Sequence, residues 1–139
     1  MSTIRLQIVD AIAAALGEAT NLTPYRNLDF ALEAENLPAL VVISGPDRLD
    51  ETPAPLSVMD QTAELEIVVL VANSANPEAA ADPYEAFIHA ALMATTDFGG
   101  HSVLMNRGGG AWSFDLGDCA ARHLSYRVGY RTSFTNLET

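Results

Sequence analysis

Met59-Asp60-Gln61-Thr62-Ala63-Glu64-Leu65-Glu66-Ile67-Val68-Val69-Leu70-Val71 reads as one long β-strand. Gln61, Ala63, Leu65, Ile67, Val69 and Val71 share one face, because successive side chains of an extended chain point to opposite sides. Asp60, Thr62, Glu64 and Glu66 occupy the other face, until Val68 and Leu70 turn it apolar. The first half is therefore expected to have a wet, acidic face, and the second half to be buried on both sides.

A strand of this kind needs neighbours, and the chain supplies them on both sides in sequence. Upstream, Leu37-Pro38 introduces Ala39-Leu40-Val41-Val42-Ile43-Ser44, a β-branched run that Gly45-Pro46 is expected to stop. Residues 46–58 then read as an exposed acidic loop carrying Asp47, Arg48, Asp50 and Glu51, since Pro53 and Pro55 remove ladder donors. Downstream, the last strand is expected from about Cys119 to Phe134. Leu124, Tyr126, Val128 and Tyr130 lie on one of its faces; His123, Ser125, Arg127 and Arg131 lie on the other. If the two long strands are neighbours, the carboxylates of Asp60, Glu64 and Glu66 meet the guanidiniums of Arg127 and Arg131 in a cross-strand ladder.

The rest of the chain fills in around these strands. Ser2 or Thr3 caps a first helix whose Ile4, Ile8, Ala11, Ile12, Ala15 and Leu16 share a face; Gly17 is expected to end it, with at most one frayed turn to Ala19. Residues 20–37 are polar, with Tyr25, Leu28, Phe30 and Leu32 offering a short edge strand or turn. Residues 73–81 read as a small-residue linker. Asp82-Pro83 is expected to open a second helix, Asp82 as its cap and Pro83 at its first position, with Tyr84, Phe87, Ile88, Ala91 and Leu92 as its apolar stripe. Residues 97–110 read as a glycine-rich loop containing Arg107-Gly108-Gly109-Gly110. A short strand Ala111 to Leu116, a turn at Gly117-Asp118 and a polar tail from Thr135 to Thr139 complete the chain. The order helix, strands, helix, strands predicts an α+β domain over residues 1–139: a mixed, mainly antiparallel sheet with two main helices packed on it.

Composition narrows the function classes. The chain has 139 residues, 49% of them hydrophobic and 18% charged, enough apolar surface for one core and little room for a second. Its net charge is -11, and all seven basic residues are arginine. General binding to nucleic acid draws its affinity from cations at phosphates, so this balance argues against it, and against adhesion to an anionic membrane. The charge is uneven: residues 1–100 hold three arginines against 15 acids, a net of -12, whereas residues 101–139 hold four against three, a net of +1. Such asymmetry permits self-complementary packing between copies, although folding within one copy could equally pair the two regions. Cys119 is the single cysteine, so no disulfide can form within one chain. The N-terminus lacks a basic-then-apolar leader and no apolar run approaches the ~20 residues that span a bilayer, which reads as a cytoplasmic site of synthesis.

Candidate chemistry is sparse. Cys119 and His123 lie on one strand face, but about 13 Å apart at about 3.3 Å per residue, too far for the histidine to activate the thiol. His89, His101 and His123 have no short metal-ligand spacing. Asp60, Glu64 and Glu66 share a strand face, where carboxylates two residues apart, as Glu64 and Glu66 are, lie about 7 Å apart; they suit a general acid–base pair, divalent-cation ligands, or a solvated face paired with arginine, and the last is the simplest. The Arg107 glycine run lacks the lysine and the following helix of a phosphate-binding loop.

Three stretches together carry a resemblance: Leu37-Pro38-Ala39-Leu40-Val41-Val42 before an acidic loop, Asp82-Pro83 at the second helix, and Leu124-Ser125-Tyr126-Arg127-Val128-Gly129-Tyr130-Arg131-Thr132 near the end. In this order, after an amphipathic helix and in a chain of this length, they resemble the tail terminator (minor tail protein U-like) family of long-tailed bacteriophages and prophages. The resemblance implies a small α+β fold that assembles as a ring, typically a hexamer. Such a ring caps the tail tube, ends its polymerisation and offers a surface to the head–tail connector proteins. It implies no catalysis, no catalytic residues and no cofactor. The expected partners are copies of the chain itself, the tail tube protein and the connector proteins; the expected location is the virion tail, after assembly in the host cytoplasm. Asp60, Glu64, Glu66, Arg127 and Arg131 are the candidate subunit interface. Asp47, Arg48, Asp50, Glu51 and Arg107 are the candidates for partner-binding loops. Another neck or tail-completion component is the nearest alternative, and a small metal-dependent enzyme built on the three carboxylates a more distant one.

Overall fold

The computed structural model describes residues 3–26, 37–49, 58–72, 75–94, 97–116 and 119–133. Helix α1 spans Ile4–Thr20. It is followed by strands β1 (Pro24–Tyr25), β2 (Ala39–Leu49) and β3 (Val58–Ala72), then helix α2 (Pro77–Met93). Strands β4 (Asp97–Phe98), β5 (His101–Ser102), β6 (Leu104–Leu116) and β7 (Cys119–Ser133) complete the order. Five strands form one sheet in the order β1-β2-β3-β7-β6, and β4 with β5 forms a small hairpin. Among the described residues the β1–β2 pair is parallel and the other pairs in the large sheet are antiparallel. The expected α+β class, with a mixed, mainly antiparallel sheet and two main helices, is what the chain adopts.

The alternation in β3 decides the layering. Ala63, Leu65, Ile67, Val69 and Val71 face a core shared with Ile4, Ile8, Val9, Ile12 and Leu16 of α1, Ala81, Ile88 and Leu92 of α2, and Leu124, Tyr126 and Val128 of β7. Both helices therefore lie on one face of the sheet. On the opposite face Val68 and Leu70 join Ala39, Val41 and Ala121 in a smaller apolar cluster, flanked by Tyr25 and Leu37. The second half of β3 is thus covered on both sides, as its continuous apolarity predicts, and the opposite face, helix-free among the described residues, is apolar at one end and charged at the other.

Several boundaries depart from the sequence reading, each for a local reason. Helix α1 runs through Gly17 to Thr20. A helical glycine costs about 1 kcal/mol relative to alanine, but the extra turn buries Thr20. Asn21 at φ 57° then supplies the left-handed cap that glycine was expected to give. Thr3 is the N-cap, its hydroxyl accepting from the Leu6 amide at 3.3 Å. Helix α2 begins at Pro77, with Asn76 accepting from the Ala79 amide at 3.2 Å, so the supposed linker is mostly its first turns and Pro83 lies inside the helix. Asn76-Pro77 and Asp82-Pro83 carry the same polar-residue-then-proline start signal; the earlier one lets Ala81 pack into the core at 1% exposure. Phe87, expected in the packed stripe, is exposed.

Strand β2 does not stop at Gly45-Pro46. Its register with β3 shifts between Ser44 and Asp47 and then resumes, Asp47 opposite Ala63 and Arg48 opposite Thr62. A bulge leaves a residue out of the ladder, which is where a proline without an N–H is tolerated. Asp47 and Arg48 are therefore strand residues, not loop residues. Asp50 and Glu51 lie outside the described residues, as do Leu28, Phe30, Leu32, the Gly117-Asp118 turn and the polar tail. The glycine-rich segment is also mostly strand: Asp97 to Ser102 makes the β4–β5 hairpin, and Arg107 to Gly110 lies within β6. There a second register shift, between Arg107 and Gly109, leaves Gly108 extra.

Candidate assembly surface

The charged half of the helix-free face is the candidate site. Strands β3 and β7 run antiparallel with Asp60 opposite Arg131, Glu64 opposite Arg127 and Glu66 opposite Ser125. The acidic and basic positions singled out in the sequence are thus brought into direct cross-strand register. Glu66 turns diagonally to His123, whose Nδ1 lies 2.5 Å from its carboxylate oxygen. The sequence placed His123 on this face without identifying its partner; the signal was the shared parity of His123 and Arg127 along the last strand.

Exposed cross-strand charge pairs contribute only about 0.2–1 kcal/mol each, and often less in salt. Contacts of this kind do little for the fold, and the main consequence of the register is the pattern of charge that the face displays. Glu64, Glu66, Ser125 and Arg127 line a groove of about 350 Å³ whose wall also includes Leu65, Tyr126, Gly45 and Gly108. Gly45 falls within the β2 bulge and Gly108 within the β6 bulge, so both irregularities bound the same depression, one on each side of the β3–β7 pair. The groove presents both signs of charge between side-chain-free rims. Among the described residues, no three histidine, cysteine, aspartate or glutamate side chains converge as a metal site. Cys119 is buried, and His89 Nδ1 sits 3.0 Å from the Tyr126 hydroxyl.

On the helix face a second charged cluster had gone unrecognised. Glu85 of α2 accepts from Arg107 at 2.7 Å and from Arg122 at 2.9 Å, joining the helix to β6 and β7. Arg107 is thereby a strand residue bound to its own helix, not a free loop residue. The Arg122 guanidinium also sits over Trp112, 5.7 Å from the ring centroid, and Trp112 stacks on Phe114 at 5.4 Å. Gly110 makes room for it: a Cβ there would stand 2.7 Å from a terminal nitrogen of Arg122. Burial alone would raise the Glu85 carboxyl, but hydrogen bonds from Arg122 and Arg107, and their charges, outweigh it and hold the group below its ordinary range. Burial pushes the Tyr126 hydroxyl up. The available clue was parity, since Arg122 shares a strand face with Leu124 and Tyr126, where an arginine requires a carboxylate partner.

No helix among the described residues is long and apolar enough to cross a membrane. No family model matches the chain. No curated protein matches it in sequence. Its fold is similar to that of a chain in the virion of a native gene transfer agent particle, with a TM-score of 0.66 and 13% identity, over 95% of this chain and 100% of that one. At that identity the likeness is one of fold, and it extends over essentially the whole of both chains.

Proposed function

We propose that this protein is a non-enzymatic structural component of a phage-like virion, a tail terminator that assembles into a ring, caps the tail tube and presents a surface to the head–tail connector. The observation that carries the reading is the end-to-end fold similarity to a virion chain of the same length class. Two features of the molecule fit it. The prominent site among the described residues is an open, mixed-charge sheet face, with Glu64 opposite Arg127 and Glu66 engaged by His123. The net charge of -11 would also let DNA pass a ring's lumen without adhering, because like charges repel along a channel.

A ring needs heterologous contacts, in which two different patches of one subunit complement each other. Sedimentation velocity at about 50 µM, with negative-stain imaging, tests the reading. Closed rings with a central hole are expected, and addition of tube protein should give tubes of limited length with the ring at one end. A chain that stays monomeric, with and without tube protein, refutes it. The neck-component alternative predicts a ring that binds the portal or its adaptor and leaves tube length unchanged.

A further inference from the structure

We draw no further inference here: the strongest candidate, the outer edge of strand β6 with the exposed Leu104 and Phe114 on it, carries nothing because nothing in the structure shows what covers it.

Discussion

Replacing Glu85 with alanine should destabilise the protein by about 2 kcal/mol, and the effect should fade in acid. The carboxylate accepts from Arg122 at 2.9 Å and from Arg107 at 2.7 Å. The Arg122 side chain is 18% exposed and that of Arg107 35%. A largely buried, charge-assisted hydrogen bond contributes about 1.5–3 kcal/mol, whereas the more open pair is worth about 0.5 kcal/mol. Alanine returns a few tenths through its helix propensity, which leaves about 2 kcal/mol. For 139 residues, at about 2.1 cal/mol/K of unfolding entropy each, that is a fall of about 7 °C in Tm. The folded carboxyl lies below its ordinary value of 4.5, so the unfolded chain binds this proton more tightly. The contribution is therefore complete above about pH 4.5 and is lost as pH falls through the folded value. Urea titrations of parent and Glu85→Ala at pH 7 and at pH 3.5 measure both effects. A gap under about 0.5 kcal/mol at pH 7, or one that is the same at both pH values, would show that Glu85 does not hold α2 to the β6–β7 edge.

Gly99→Ala should cost about 1–3 kcal/mol, because Gly99 has φ +64° and a Cβ would stand 2.9 Å from the Gln7 carbonyl oxygen. Gly100→Ala, at φ +80° in open space, should cost less, and equal losses in thermal melts would contradict the close approach of the β4–β5 turn to α1. Leu124→Ala should cost about 2–5 kcal/mol by leaving a cavity at a fully buried position under both helices; a loss below about 1 kcal/mol in urea would mean the core there is loose. Arg127→Glu sets a like charge opposite Glu64. It should shift stability by less than about 1 kcal/mol, and retention of ring assembly by sedimentation would remove this face from the subunit contact.

The sequence alone determined the two long strands, their faces and the fold class, because a period of two over a dozen residues leaves one way to bury the apolar set. It also placed the carboxylates of β3 and the arginines of β7 on faces that could meet if the strands were neighbours; the register that sets Glu64 opposite Arg127 came from the fold. Tertiary structure decided the rest. Gly45-Pro46 and the Arg107 glycine run carry turn signals, yet both lie within strands, because neighbouring strands supply enough ladder to carry each irregularity as a bulge. Of two equivalent proline start signals for α2, packing of Ala81 selected the first. The partners of Glu85 and Glu66 depend on which elements meet across tens of residues of chain. Local propensity cannot encode that choice, which is made when the sheet closes on its helices and each half-buried charge must find its counterpart.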